Sequence, residues 1–345
     1  MLAAHASLCA VEYGADAPGA NIDHLRWRYL APASGDAYVD TISEDGAAPV
    51  GRIAYAPRLL RSKNGELRAV NPVELLINRD HRSPRAFLEL MRDLRNHDHA
   101  DVVFLAPNDT SAPLYEKVLK FEQAGTLKLA GLPLCPENVL AGGASPLVRF
   151  PLVVLGAIWR VLVRGLAAAM LAVTSVDLSS DVPEPGEIDQ LVGPLYSGDS
   201  WVGVRDHDFH TWRFHDGPVF RYRVRYAFRH GTLAGYAVSR ITEFQGLRAC
   251  ILLDCVATRN RSRRVARALI ADVLQHAGRE HADLVAALSF GDRALTGALR
   301  RLPLLPVPRA LWPEQMPFLV EWEAHRRAAG SPLSMSVTLA DMDVF

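Results

Sequence analysis

The sequence predicts an α/β fold of the α+β type, built from two related domains that a long apolar helix joins. Three observations lead to this prediction. The 345-residue chain is too long for one ordinary core. A strongly apolar segment lies near its middle, and motifs before that segment return in the same order after it. We therefore expect domains over residues 1–145 and 181–345, with the linker helix over 146–180.

The composition describes a globular chain without a strong overall charge. Hydrophobic residues make up 49% of it, and 38 Lys and Arg residues are balanced by 38 Asp and Glu residues. Because there is no net positive field to hold a polyanion, we expect no DNA partner. The four cysteines form no CxxC pair, and the first residues lack a basic region followed by an apolar run. We therefore expect a reduced, cytoplasmic protein.

The repeated motifs define the elements of each half. HLRWRY at 24–29 aligns with HTWRF at 210–214, VELLINRDHRSPRAFLELM at 73–91 with LLDCVATRNRSRRVARALI at 252–270, and HADVVFLAP at 99–107 with HADLVAALS at 281–289. Ordered agreement of this kind is stronger than any single motif. Each half is predicted to run strand, strand, strand, helix, strand, helix, which gives a mixed, mostly antiparallel sheet flanked by helices.

The apolar segment 146–176 allows two interpretations. Arg149, Arg160 and Arg164 interrupt it, and its longest uncharged run, 165–176, is shorter than the roughly 20 residues that cross a bilayer. A simple transmembrane helix is therefore not expected. The segment is either a buried linker helix between the domains or an interfacial helix in peripheral contact with a membrane. In the second case the cytoplasmic protein would be membrane-associated.

A helix start follows the third strand of each half. In the first half Ser83 is placed to cap the helix and Pro84 suits the first helical position. Arg82 and Arg85 add guanidinium charge to the free N–H groups and positive dipole of that helix end. The loop is therefore a candidate seat for a pyrophosphate, and the alternative is a set of arginines on an exposed helix end.

The stretch NDTSAPLYEKVLKF, residues 108–121, carries a motif that a generic helix does not require. Its Asn108, Ser111 and Tyr115 fit the pattern N-x-x-(A/S)-x-x-x-Y-x-x-x-G-F, with Lys120 in place of the glycine. With the order of elements, this resembles the GNAT acyl-CoA N-acyltransferase superfamily. The duplication resembles its tandem members, including those of bacterial surface-polysaccharide loci.

The resemblance implies an acyl-CoA donor, acetyl-CoA or a longer acyl-CoA, and roles for several residues. Ile77, Arg82, Ser83 and Arg85 stand where the family binds the coenzyme pyrophosphate. By the same resemblance, Asn108 and Ser111 contact the pantetheine region. Tyr115 would protonate the departing thiolate.

Both phosphate loops depart from the family pattern. The family uses glycines there because a backbone without Cβ can approach the pyrophosphate closely. The first copy has Ser83, Arg85 and Phe87 at those positions, which is expected to narrow the cleft. The second copy also lacks the asparagine and has Ala298 where Tyr115 stands. We therefore place the coenzyme in the N-terminal half and interpret the C-terminal half as a degenerate copy.

Two carboxylates are candidates for the base that takes a proton from the attacking amine. Glu74 lies on the strand that leads to Arg82. Asp254 lies on the corresponding strand of the second half, which is otherwise apolar. A buried carboxylate without a partner is costly, so Asp254 is expected to have a partner or a catalytic task.

The tryptophan-arginine motifs suggest a substrate-binding surface. Trp27 or Trp212 could stack on a sugar or base while Arg213 holds an anionic group. The alternative is that the tryptophans anchor the core at the start of each domain. The His-rich fragments at 96–101 and 205–212 match no closed zinc pattern, so no metal is expected.

Three hypotheses follow from these residues. The first is an N-acyltransferase, in its commonest form an N-acetyltransferase, acting on an amino sugar, a nucleotide sugar or a related small amine. The second is a transferase of the related tandem fold that uses an aminoacyl-tRNA, for which the basic strand RYRVRYAFRH at 221–230 is mildly suggestive. The third is a non-catalytic binding protein that kept the fold and lost the coenzyme.

Overall fold

The structure is a computed structural model of the chain. It describes residues 1–43, 48–92, 100–140, 146–244, 246–258, 262–291, 304–307, 316–322 and 334–342. Ala298, which bears on the second copy, lies outside this part of the chain.

Both halves contain helices and strands. The elements up to the linker are α1 (Leu2–Tyr13), α2 (Ile22–Leu30), β1 (Tyr38–Ser43), β2 (Pro49–Ser62), β3 (Gly65–Ile77), α3 (Pro84–Met91), β4 (Val102–Leu105), β5 (Glu122–Thr126), β6 (Lys128–Pro133), α4 (Pro136–Leu140) and α5 (Pro146–Ala172). The elements after it are β7 (Asp177–Ser179), α6 (Pro185–Val192), β8 (Trp201–Gly203), α7 (His207–Phe214), β9 (Arg223–Arg229), β10 (Thr232–Phe244), β11 (Leu247–Ala257), α8 (Ser262–Arg279), β12 (Leu284–Phe290), β13 (Leu305–Pro306), β14 (Pro317–Trp322) and β15 (Met335–Thr338).

The two halves build sheets of the same design. β1, β2 and β3 form an antiparallel meander, and β4 then pairs parallel to β3. In the second half β9, β10 and β11 form the meander, and β12 pairs parallel to β11. A helix, α3 or α8, crosses between the third and fourth strand in each half, as the repeated motifs predict.

The halves exchange strands. β14, which comes late in the chain, pairs antiparallel with both β4 and β5 in the sheet of the N-terminal half. In the other direction β6 pairs antiparallel with β12 in the sheet of the C-terminal half. Each sheet is therefore completed by a strand from the other half, which a division of the chain at residue 145 does not describe.

Short strands join the two sheets into one continuous path. β8 pairs antiparallel with β2 and parallel with β15, and β15 pairs antiparallel with β12. A large apolar cluster lies along this join and includes residues of both halves, such as Leu60, Phe104, Phe209 and Tyr236. The join makes the protein one packed body in which neither sheet is complete alone.

The start of α3 follows the predicted chemistry. Ser83 is the N-cap, and its Oγ accepts a hydrogen bond of 3.1 Å from the Ala86 amide. Pro84 occupies the first helical position, where a missing N–H costs nothing. Phe87 and Leu90 recur on one helix face and are buried against the sheet.

α5 is the predicted linker helix, and it ends before residue 180. One face packs on α8 through residues such as Val163 and Ala167, and Trp159 donates from Nε1 to the Pro133 carbonyl at 2.7 Å. By length and composition its segment Leu152–Ala172 could cross a membrane, and it is the one such helix among the described residues. Most of that segment is exposed, so α5 is not the buried linker that the first interpretation described.

Candidate active site

A gap opens between β3 and β4 soon after these strands meet. Their parallel pairing is limited to Ala69 with Val102 and Val70 with Val103. The next residue, Asn71, donates from its side-chain Nδ2 to the Phe104 carbonyl at 2.8 Å, so a side chain bridges the point where the ladder stops. Beyond it β3 continues beside β2 alone.

A β-bulge at Glu74 lies beside this gap. Because Ala54 pairs with Val73 and Arg52 with Leu76, Glu74 is one of two β3 residues that lie opposite a single residue of β2. Its φ of 53° is the left-handed conformation that favours glycine, and it re-aims the side chain. The motif alignment places Glu74 on Leu253, and β11 has its own bulge there. The two halves therefore share a local irregularity as well as their order of elements.

Glu74 is held by three side chains. The Tyr29 hydroxyl donates to Oε2, Arg52 Nη2 donates to the same oxygen at 2.8 Å, and Arg28 Nη1 lies 3.1 Å from Oε1. Burial, and then the Glu74 charge, raise the pKa of Tyr29 far above its usual value, so Tyr29 stays a donor. The Glu74 side chain keeps 15% of its surface exposed. It is an oriented carboxylate that a small cation can still reach.

Tyr115 lies on the opposite face of the sheet from the Tyr29–Glu74 pair. It follows β4 in a π-helical turn, Leu114–Val118, and its ring packs edge-on to Phe87 and Phe121. Burial raises the pKa of Tyr115 to about 12, so the phenol is protonated at neutral pH. This protonation state suits the acid role that the sequence predicts.

Asn108 and Ser111 form the turn that positions Tyr115. Asn108 Oδ1 accepts from the Ser111 amide and from the Ser111 hydroxyl, both at 2.9 Å. The asparagine therefore caps the following turn, as Asx residues commonly do. Lys120, which replaces the motif's glycine, has a φ of 63°, so the backbone keeps the conformation that explains a glycine there. Contact of Asn108 and Ser111 with a coenzyme stays a prediction.

The loop between β3 and α3 presents arginines to solvent, and two of them, Arg79 and Arg82, contact Glu12 of α1. Arg82 Nη2 lies 2.8 Å from Glu12 Oε2, and Arg82 Nε donates to the Ile77 carbonyl at 2.9 Å. The amide of Arg79 donates to the other Glu12 oxygen at 3.0 Å. A carboxylate from α1 thus occupies one side of the loop at which a pyrophosphate is expected.

The bulky residues of this loop do not fill the cleft in the way that the sequence suggests. Phe87 turns inward and is 9% exposed, packed with Leu90 and Tyr115 in the core under α3. The Ser83 hydroxyl is turned back onto the helix as its cap. Arg85 is exposed. The expected narrowing by Phe87 is therefore wrong, because its side chain belongs to the hydrophobic face of α3.

Trp27 and Trp212 pair with each other across the two halves. Their rings stack with centroids 5.2 Å apart, and each indole nitrogen donates to the carbonyl of the other tryptophan, at 2.9 Å and 3.2 Å. The repeated motif thus forms a reciprocal contact between α2 and α7. This contact supports the interpretation of the two residues as core anchors.

The same pair lines a crevice beside Asn71 and Val73, next to the gap in the sheet. Its volume of about 40 Å³ holds little more than a water molecule. Arg213 also lines it, with its guanidinium 5.9 Å from the Trp27 ring and Nη2 donating to the Met342 carbonyl at 3.4 Å. A substrate could use this surface only after the crevice widens.

Asp254 is part of a buried ionic network and does not face a cleft. Its Oδ2 accepts from Arg205 Nε at 2.7 Å and from the Tyr236 hydroxyl at 3.0 Å. Arg205 also pairs with Asp341, which pairs with Arg58 of β2 at 2.6 Å. Burial alone would lower the pKa of Arg205, but Asp254 and Asp341 raise it well above its usual value. The predicted catalytic role of Asp254 is therefore wrong: it ties the halves together.

Sequence reasoning missed the partners of Glu74 and of Arg82. Arg28 and Tyr29 stand in the HLRWRY motif, in which only the tryptophan attracted a functional role. Arg52 stands within the apolar strand GRIAY and is 1% exposed, which is a recognisable anomaly. Glu12 offered no signal, because its role depends on how α1 packs.

Comparison with known proteins gives structural matches only. No family model matches the sequence, and no curated protein matches it. A conserved protein from Enterococcus faecalis V583, described as a "probable N-acyltransferase", superposes with a TM-score of 0.58 and 10% identity over 93% of this chain and 70% of its own. A GCN5-related N-acetyltransferase from Anabaena variabilis superposes with a TM-score of 0.54 and 13% identity. The match covers 87% of this chain and 65% of the other.

A tandem GNAT protein of the clavulanic acid biosynthesis pathway matches over nearly the whole length of both chains. Its TM-score is 0.52 and its identity 15%, with 93% of this chain and 94% of the other covered. At these identities the likeness concerns the fold. The predicted α/β fold class is confirmed, and the fold of the chain is similar to that of this tandem GNAT protein.

Proposed function

We propose that the chain is an acyl-CoA-dependent N-acyltransferase whose reaction takes place in the N-terminal half. The observation that carries the proposal is the gap between β3 and β4, with Glu74 on one face of the sheet and Tyr115 on the other. A thioester held in that gap would present its carbonyl towards Glu74 and its sulfur towards Tyr115. The fold shared with proteins named as N-acyltransferases supports this assignment.

The acyl-CoA substrate would be bound by the loop after β3 and the turn after β4. Arg82 and Arg85 supply charge for the pyrophosphate at the start of α3. Ile77 ends the strand beside that loop, and Asn108 with Ser111 begins the turn that leads to Tyr115. Because Arg82 contacts Glu12, a bound pyrophosphate must compete with that carboxylate.

The chemistry divides between two side chains. Glu74 orients the incoming ammonium and takes its proton, which leaves a neutral amine to attack the thioester carbonyl. The new C–N bond forms and the C–S bond breaks. Tyr115 gives its proton to the departing thiolate, and Arg28 and Arg52 keep the Glu74 carboxylate in position.

The specific form of the proposal is acetyl transfer from acetyl-CoA to an amino sugar, a nucleotide sugar or a related small amine in the cytoplasm, in the assembly of surface polysaccharide. The surface that supports it is the crevice lined by Trp27, Trp212 and Arg213. Aromatic faces suit the apolar side of a sugar ring, and guanidinium groups suit a phosphate or carboxylate. Because the crevice is small, α2 and α7 would have to separate locally.

One observation favours a second function, a non-catalytic binding protein. The Glu12 carboxylate already pairs with Arg82, so this arginine has a partner without a ligand.

The basis for a tRNA-dependent transferase is weaker, because Arg223 and Arg225 of the basic strand β9 both pair with Asp272. The arginines that suggested an RNA surface are thus partly neutralised.

The test is release of the coenzyme thiol. Acetyl-CoA and a panel of amino sugars, nucleotide amino sugars and simple diamines would be incubated with the wild type and with Tyr115→Phe. The proposal expects amine-dependent thiol release that the variant lowers by about 100-fold. Coenzyme binding without turnover on any amine would favour the non-catalytic alternative.

A further inference from the structure

The exposed face of α5 is apolar over its described side chains, from Leu152 to Ala172. The outward-facing side chains include Leu155, Ile158, Val161 and Leu162, which are 61%, 55%, 67% and 60% exposed. These positions share the half of the helix opposite Val163 and Ala167. Among the described side chains from Leu152 to Val173, none on this exposed half is charged. A surface helix of a soluble protein usually shows the reverse pattern, with polar residues outward.

Packing holds α5 flat on the protein. Its inner face contributes Val163 and Ala167 to the core that α8 closes, and Trp159 bonds the Pro133 carbonyl of β6. With 27 residues the helix is about 40 Å long, at 1.5 Å per residue. The described part of the apolar face, Leu152–Ala172, is therefore a strip about 30 Å long that lies parallel to the protein surface.

The charges that flank this strip are positive. Arg164 is exposed on the edge of α5, and α8 beside it exposes Arg263, Arg264, Arg267 and Arg279. The acidic residue of α8, Asp272, is buried and pairs with Arg223 and Arg225 of β9. Within the described side chains of α5 and α8, the exposed ionic charge is thus wholly positive.

A cavity of about 360 Å³ lies on the arginine side of α5. Arg160, Arg164 and His281 line it together with Glu137, whose carboxylate pairs with Arg160. Arg164 and His281 are exposed, so the cavity is open to solvent. It provides room for a polar headgroup beside an apolar strip.

We propose that α5 lies in the interfacial layer of a phospholipid bilayer that contains anionic lipid. The strip would insert among the acyl chains, while Arg164 and the arginines of α8 contact headgroup phosphates. Charge complementarity favours this occupant over a second copy of the chain, because two copies would bring arginine-rich flanks together. The inference does not depend on the coenzyme site, which lies in the other half.

Flotation of the full-length protein with vesicles tests the proposal. Vesicles of phosphatidylcholine alone would be compared with vesicles that also contain phosphatidylglycerol. The wild type is expected to float with the anionic vesicles. Ile158→Glu/Leu162→Glu is expected to lose more than about tenfold in partitioning, because two charges enter the apolar strip.

Matched variants distinguish an effect at the apolar strip of α5 from a general effect of added negative charge. Val11→Glu/Val182→Glu adds the same charge at two other exposed apolar positions and is expected to float like the wild type. Arg164→Gln is expected to weaken binding to anionic vesicles by about fivefold and to leave binding to phosphatidylcholine unchanged. Because these positions are exposed, all variants should unfold at the wild-type temperature.

Two outcomes would overturn the proposal. One is a wild type that fails to float with either vesicle. The other is a wild type that is dimeric by light scattering, does not bind vesicles, and becomes monomeric in Ile158→Glu/Leu162→Glu. That result would assign the strip to an interface between two copies of the chain.

Discussion

Tyr115 combines a buried ring with a protonated hydroxyl in the core under α3. Its aromatic neighbours Phe87 and Phe121 explain both its fixed position and its raised pKa, because they keep water from solvating a phenolate. A residue of this kind is a poor base and a persistent proton donor. The fixed position of Tyr115 and its proposed role as the acid therefore have the same physical cause.

The pH dependence of turnover tests this role. Since burial raises the pKa of Tyr115 to about 12, the acid stays protonated at every pH below that value. The rate is therefore not expected to fall through loss of the Tyr115 proton between pH 7 and about 10. Tyr115→Phe should lower kcat across that range without changing the shape of the profile. Tyr13→Phe, an exposed control, should leave kcat unchanged, and an alkaline limb near pH 9 that vanishes in Tyr115→Phe would contradict the assignment.

A coenzyme pyrophosphate at the start of α3 would compete with Glu12 for Arg82, because the Glu12 carboxylate lies 2.8 Å from that guanidinium. Glu12→Gln should therefore raise the affinity for acetyl-CoA by about threefold, a modest effect because Arg82 is half exposed. Titration calorimetry would measure it, with Glu89→Gln as a variant of equal charge change. Unchanged affinity in Glu12→Gln would show that the carboxylate does not oppose the ligand.

At the scale of elements, α2 and α7 are coupled through their tryptophans. The ring stack and the two reciprocal hydrogen bonds make Trp27 and Trp212 one interaction rather than two. Trp27→Ala and Trp212→Ala should each lower the free energy of unfolding by about 3–5 kcal/mol. The double variant should lose less than the sum of the two, by about 1 kcal/mol. Strict additivity in urea unfolding would show that the residues act separately.

α7 also carries a histidine whose burial links stability to pH. Burial, with smaller contributions from His215 and His207, lowers the pKa of His210 from 6.5 to about 3. The native state therefore keeps His210 neutral while the unfolded chain takes up a proton below pH 6.5. Stability from this group is present above that pH and is lost as the pH falls towards 3.

Between pH 7 and pH 5 the free energy of unfolding should fall by about 2 kcal/mol through His210. His210→Gln should show a correspondingly flatter dependence in urea unfolding at the two pH values. His230→Gln, in the exposed turn before β10, is the matched control and should keep the wild-type slope. Equal slopes in wild type and His210→Gln would remove His210 as the cause.

At the scale of the whole molecule, strand exchange and the buried ionic network make the halves interdependent. β6 and β14 each complete the sheet of the other half, and Arg58 of the first half reaches Asp341 near the end of the chain. An isolated N-terminal half would lose a strand and leave Arg58 buried without its partner. We therefore expect that the N-terminal half does not fold without the C-terminal half.

The sequence predicted the features that are encoded locally or by repetition. Ser83 and Pro84 mark the start of α3, and the aligned motifs predict matching sheets. The strand exchange was not predictable in this way, because a short strand such as β6 suits either sheet. The anomaly of Asp254 in an apolar strand predicted a partner but not Arg205, since that pairing depends on distant loops coming together.

The central claim is that one half binds acyl-CoA, and a matched pair of variants tests it most directly. Acetyl-CoA would be titrated calorimetrically into the wild type, into Arg82→Ala/Arg85→Ala and into Arg263→Ala/Arg264→Ala, which changes the equivalent helix start of the second half. We predict that the wild type binds acetyl-CoA with micromolar affinity. Arg82→Ala/Arg85→Ala should abolish this binding, and Arg263→Ala/Arg264→Ala should leave it intact. Loss of binding only in the second pair, or no binding by the wild type, would contradict a coenzyme site in the N-terminal half.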